Sequence, residues 1–159
     1  MKIKSWIAAC GLAVSLLAQP AAAGQFEDAT AAYGRGDYAT ALKLMRPLAD
    51  QGNAHAQYNL GRMYANGWGV PQDYAEAVKW YRLAAEQGDA PAQNSLGGMY
   101  DIGRGVPRDY AQALKWFRKA ADQGYASAQT GLGVMYWDGL GAKSHSIANP
   151  PENCISYRL

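Results

Sequence analysis

From residue 54 onward the chain alternates between helical runs of apolar and small residues and short breaks. Ala54, Gln57, Leu60, Gly61 and Tyr64 fall at i, i+3, i+6, i+7 and i+10, which gathers them on one stripe of a helix. The run Gly67-Trp68-Gly69-Val70-Pro71 then supplies two residues tolerant of positive φ and a proline, so a break is predicted there. Asp73 is placed to cap the next helix, in which Tyr74, Ala77, Val78, Tyr81, Ala84 and Ala85 keep helical spacing. Gln87-Gly88 ends that helix, with glycine just past its last turn.

This two-helix unit recurs. Ala54 returns as Ala90 and Ala126, a period of 36 residues. Leu60-Gly61 returns as Leu96-Gly97 and Leu132-Gly133, and Met63-Tyr64 as Met99-Tyr100 and Met135-Tyr136. Gly67 and Gly69 return as Gly103/Gly105 and Gly139/Gly141, while Asp73-Tyr74-Ala75 and Lys79-Trp80 return as Asp109-Tyr110-Ala111 and Lys115-Trp116. An earlier partial unit shows in Asp37-Tyr38-Ala39, Ala41-Leu42-Lys43 and Gln51-Gly52, which places its first helix at about Gln25 to Tyr33 and gives it a tight Gly34-Arg35-Gly36 turn. The expected organisation is a signal peptide over 1–23, a first helical repeat over 24–53, repeats over 54–89 and 90–125, a partial repeat over 126–141 and an irregular tail over 142–159. Stacked units of this kind form an all-α solenoid, in which small residues such as Gly61 and Ala84 admit close helix approach and the aromatic residues fill the wider gaps.

The pattern A-x-A-Q-x-x-L-G-x-M-Y, G-x-G-V-P-x-D-Y-A-x-A-x-K-W and A-A-x-Q-G resembles the Sel1-like repeat family over about Tyr38 to Gly141. The resemblance implies a right-handed α-solenoid related to tetratricopeptide arrays, whose usual business is binding and scaffolding other proteins. In bacteria such proteins are often exported and take part in envelope regulation, signalling or host contact.

Lys2 and Lys4, the apolar run from Trp6 to Ala18, and Pro20-Ala21-Ala22-Ala23 have the order of a secretory signal peptide cleaved before Gly24. The run is short for a membrane span, and too few residues precede Cys10 for a lipoprotein signal. A periplasmic or secreted location is therefore expected, with no membrane attachment after cleavage. Cleavage removes two of the 15 basic residues and none of the 13 acidic ones, leaving a net charge of zero. A neutral chain without a Lys/Arg run lacks the field that nucleic acid or an acidic membrane surface requires. Cys10 leaves with the signal, so Cys154 has no partner within the chain; pairing between chains stays open.

A binding surface is read from where the repeats differ. The first helices vary at His55/Pro91/Ser127, Tyr58/Asn94/Thr130, Asn59/Ser95/Gly131, Arg62/Gly98/Val134 and Asn66/Ile102/Asp138. These positions share one helix face, away from the Leu and Tyr stripe, and stacking lays the three faces side by side as a candidate partner-binding surface. The competing reading is that they differ because they are merely exposed. Trp80 and Trp116 occupy equivalent places and are expected to pack. Trp68 stands where the other units have Arg104 and Leu140, and is expected to be an exposed aromatic contact. Lys79 and Lys115 are expected in solvent, their stems over apolar neighbours.

Little points to chemistry. His55, His145 and Cys154 are too few and too scattered for a zinc site, so no metal or cofactor is expected. No serine is followed by x-x-Lys or sits in G-x-S-x-G. The G-x-G breaks lack the strand and lysine of a phosphate loop, and they recur in every unit as structural turns do. The enzymatic alternative comes from cysteine-rich secreted Sel1-like proteins described as β-lactamases or penicillin binders, but the repeats here contain no cysteine.

After Gly141 the pattern stops at AKSHSIANPPENCISYRL, so the last first-helix lacks its partner. Leu132, Met135 and Tyr136 are then expected to be partly exposed, and end-to-end self-association becomes plausible. The tail either caps that end irregularly or marks a shortened, non-functional array.

Overall fold

A computed structural model describes residues 19–140, with side chains from Gly24 onward. The expected signal segment up to Ala18, with Cys10, and the tail from Gly141, with His145 and Cys154, lie outside the described residues. The described residues form seven α-helices and no strand: α1 Gln19–Gly34, α2 Tyr38–Asp50, α3 Ala54–Asn66, α4 Tyr74–Glu86, α5 Ala90–Ile102, α6 Tyr110–Asp122 and α7 Ala126–Trp137. Each helix packs chiefly on the one before and the one after it, as a solenoid requires. One boundary differs from expectation. The described part of α1, from Gln19, already precedes the expected start near Gln25, because Ala21-Ala22-Ala23 propagates a helix well.

The punctuation read from the sequence is realised in the backbone. Asp73 and Asp109 accept hydrogen bonds from the first free amides of α4 and α6, and Asn53 and Asp89 do the same for α3 and α5. Gly67 and Gly103 end α3 and α5 in the left-handed region, at φ 70° and 71°. The second glycine of each loop has a different duty. A Cβ on Gly69 would lie 2.9 Å from the Tyr38 carbonyl oxygen, and one on Gly105 would lie 2.2 Å from that of Tyr74. Each G-x-G loop thus presses backbone against the start of the second helix of the preceding unit.

Three apolar clusters run along the array. The first joins α1, α2 and α3, with Met45, Leu60 and Met63 buried, and receives Trp80 from α4. The second joins α4 and α5 and receives Trp116 from α6. Both tryptophans are therefore packing residues that reach back one unit. Between α3 and α4, Gly61 faces the Tyr81 ring so closely that a Cβ would lie 2.5 Å from Cδ1; Gly97 meets Phe117 at 2.8 Å in the same way. These glycines are the sockets into which an aromatic ring of the following helix fits.

The third cluster corrects an expectation. Leu132 and Met135 are only 7% and 2% exposed, packed with Ala113, Leu114, Phe117 and Ala120 of α6. Their stripe faces the helix before α7, so they are covered whatever follows α7. Tyr136 is half-buried, and its hydroxyl accepts a hydrogen bond from Arg118. Exposure falls instead on Val134, at 55%, and Trp137, at 81%.

Candidate partner-binding face

A buried amide relay holds successive first helices in register. Gln57 Nε2 donates to the Ala49 carbonyl at 3.0 Å, and its Oε1 accepts from Gln87 Nε2 at 2.7 Å. One unit on, Gln93 donates to Ala85 and accepts from Gln123, at 3.0 and 2.8 Å. The A-x-A-Q and Q-G parts of the repeat pattern are thus two ends of one device that ties the end of a second helix to the first helices on either side. Gln129, the third copy, is exposed.

The variable positions differ in burial and surroundings. Tyr58, Asn59, Arg62, Pro91, Asn94 and Ser95 are half-buried, while His55, Ser127 and Thr130 are exposed. An open cleft between α3 and α5 is lined by Asn66, Ser95, Gly98, Ile102 and Arg104, together with Tyr74 and Tyr81 of α4. Toward α1, the His55 ring lies 6.2 Å from that of Phe26. The cleft brings Asn66 of α3 together with Ser95, Gly98 and Ile102 of α5, and Phe26 and Tyr33 of α1 lie beside His55 and Arg62, which comparison of the three later copies could not reveal.

Arg62 lies on the α1 side of α3, among three aromatic rings. Its guanidinium carbon lies 5.3 Å from the Tyr33 ring centre, 5.8 Å from Tyr58 and 5.7 Å from Trp68. At these distances a cation is attracted to each ring face. No carboxylate of the described residues pairs with it. A guanidinium has five donors in a fixed plane, so the rings fix its position while its donors stay available. Burial pushes the Tyr33 and Tyr58 hydroxyls above their ordinary range, partly opposed by the Arg62 charge, and both phenols remain neutral donors.

Trp68 is not the free-standing contact expected of it. Its ring stacks on Tyr38 at 5.1 Å and 5°, and meets Tyr33 edge-on at 5.8 Å. In the next unit Arg104 takes the same place over Tyr74, at 5.3 Å. The position varies because several flat or apolar groups can cover the tyrosine at the start of the preceding second helix. Trp68 reaches the surface only as one wall of the Arg62 site. Lys79 and Lys115 are both exposed; Lys79 bonds Glu76, and Lys115 lies 5.5 Å from the Trp116 ring centre.

A second polar feature escaped the sequence pattern. The Asp89 side chain is 1% exposed; Oδ1 caps α5 through the Ala92 amide at 2.8 Å, and Oδ2 lies 2.9 Å from His55 Nδ1. Oδ2 has no other partner, so the contact is satisfied only when His55 carries a proton on Nδ1. His55 thus links α3 to the start of α5, and the variability of its position in the other copies gave no hint of this. Among the described residues no group of three or more His, Cys, Asp and Glu gathers, and no helix is long and apolar enough to cross a membrane.

Seven consecutive helices, a 36-residue register and a relay repeated between units define an α-helical repeat array. A model of the Sel1 repeat matches residues 22–53, 54–89, 90–125 and 126–148, and the chain belongs to the Sel1 repeat family. Among solved structures it is similar to a protective antigen of uropathogenic Escherichia coli strains that displays an SLR fold, with 46% identity and a TM-score of 0.72 over 76% of this chain and 27% of that one. It is also similar to a Sel1 repeat protein from Oxalobacter formigenes, with 35% identity and a TM-score of 0.70 over 73% of this chain and 48% of that one. The chain thus spans about a quarter and about half of these two relatives. A comparison with curated proteins gives no significant match. Sel1 repeat proteins generally mediate protein–protein interaction, and the family is mostly of the non-enzymatic scaffold type.

Proposed function

We propose that this chain is an exported interaction module, an adaptor or scaffold without catalytic activity, that takes a segment of a protein partner along the face of α3, α5 and α7. One observation carries the reading: Arg62 is fixed among Tyr33, Tyr58 and Trp68 with its donors uncommitted, on the same helix as Asn66, which lines the open cleft between α3 and α5. Positioned aromatic and arginine side chains are the residue types that dominate protein interfaces. Asn59, Asn94, Ser95, Ser127 and Thr130 add hydrogen-bonding groups along the same face, with Pro91 and His55 at its rim. Export rests on the charged, apolar and small-residue order of the first 23 residues.

The test is capture of a defined partner from a periplasmic extract by cross-linking, with the Arg62→Glu/Asn94→Ala double variant as the control. The variant is expected to lose capture while its helical circular dichroism is unchanged, because neither side chain belongs to the buried clusters. Undiminished capture by a folded variant would place binding elsewhere on the molecule.

A further inference from the structure

α7 carries an apolar stripe on two sides. Ala128, Leu132 and Met135 are buried against α6, while Gly133, Val134 and Trp137 lie on the uncovered side. Helices apolar all round belong in interiors, and here the described residues leave one side open. Two features of that side are informative. Gly133 is the third copy of the Gly61 and Gly97 sockets, yet a Cβ there would meet nothing within 4 Å, where the other two meet Tyr81 and Phe117. Trp137 stands where α3 has Ala65, a residue that packs against the second cluster beside Tyr81, and it projects at 81% exposure. The uncovered side therefore holds an empty ring socket and a free ring, four residues apart on one face.

We infer that this face binds a second copy of the chain, α7 against α7 about a two-fold axis, with Trp137 of each copy seated over Gly133 of the other. A two-fold contact needs a self-complementary patch in which residue i meets j and j meets i, and a socket and a ring one turn apart on an antiparallel helix pair meet that condition. Charge agrees with it: α7 has no charged residue from Ala126 to Trp137, so like charges do not face each other, and the antiparallel helix dipoles attract. A three-turn helix contact buries less than the roughly 800 Å² per partner of a standard interface, so the dimer is expected to form in the micromolar range or above. Such a pairing closes on itself and does not grow into open-ended arrays. It leaves the α3 to α5 cleft free and does not depend on the partner-binding reading.

Sedimentation equilibrium of the full chain under reducing conditions, from about 5 to 500 μM, is the test; the range brackets the affinity expected of a small interface. Wild type is expected to pass from monomer to dimer across this range. Trp137→Glu and, separately, Gly133→Leu are expected to weaken dimerisation at least about tenfold, the loss typical of removing a central aromatic contact. Helicity should be unchanged in Trp137→Glu, whose side chain touches no buried cluster, and Arg62→Glu should dimerise like wild type. The proposal is overturned by a wild-type monomer throughout, which would mean that residues 141–159 or another protein cover α7, and equally by a dimer that Trp137→Glu leaves intact.

Discussion

The unit of α5 and α6 and the last described helix, α7, carry nearly the same first-helix residues in different surroundings. In α5, Gly97 receives Phe117, Gln93 is bonded on both sides, and Leu96 is sealed between clusters. In α7, Gly133 faces open space and Gln129 is exposed, yet Leu132 is nearly as buried as Leu96. The repeat pattern therefore combines two sets of positions. One set, Leu132 and Met135, answers to the helix behind; the other, Gly133 and Trp137, answers to the helix ahead. With α7 the last described helix, the described residues leave only the second set exposed.

The largest effect that sharpens this division comes from the buried leucines. Leu96→Ala and Leu132→Ala are each expected to destabilise the fold by about 3 kcal/mol in urea unfolding, within the range for emptying a packed leucine site. A loss below about 1 kcal/mol for Leu132→Ala would show that α7 is not held by α6 in solution.

The glycine sockets should separate the two units more clearly, with a smaller magnitude. Gly97→Ala forces a methyl to within 2.8 Å of the Phe117 ring, and overpacking of this kind costs about 2 kcal/mol. Gly133→Ala meets nothing, and should instead stabilise the helix by up to about 1 kcal/mol through helix propensity. Equal losses at both positions, read from the same urea curves, would mean that Gly133 is covered by something in solution.

The smallest effect appears only in alkali and compares Tyr81 with its counterpart Phe117. Burial pushes the Tyr81 phenol well above its ordinary value of 10.0, and Tyr33 and Tyr58 are raised by the same cause. Below pH 10 the phenols are neutral in folded and unfolded chains alike, so they add no pH dependence there. Above it the unfolded chain releases protons that the folded chain keeps, and stability falls by up to about 1.4 kcal/mol per pH unit for each such group. Tyr81→Phe, which copies the Phe117 arrangement, is expected to flatten this decline between pH 10 and 11.5 in urea midpoints. An unchanged slope would mean that Tyr81 ionises freely.

Much of the fold was legible because the chain repeats. Three copies at fixed spacing marked the helices, the Gly67 and Gly103 ends, the Asp73 and Asp109 caps and the packing role of Trp80 and Trp116, since each depends on residues close in sequence or common to every unit. Trp68 was misread because its covering partners, Tyr33 and Tyr38, lie some thirty residues away, and a variable position looks exposed when its contact tolerates several side chains. Leu132 and Met135 were expected to be partly exposed because the sequence does not say which neighbour a stripe faces.

By itself, then, the sequence determined the helices, their order and the family, because backbone preference and period are local properties repeated along the chain. Only the tertiary structure decided which stripe each neighbour covers. It set Arg62 against the Tyr33 ring of α1 beside Tyr58 and Trp68, paired His55 with the buried Asp89, and left the Gly133 socket open beside Trp137 among the described residues. Those outcomes depend on distances between helices that no single unit encodes.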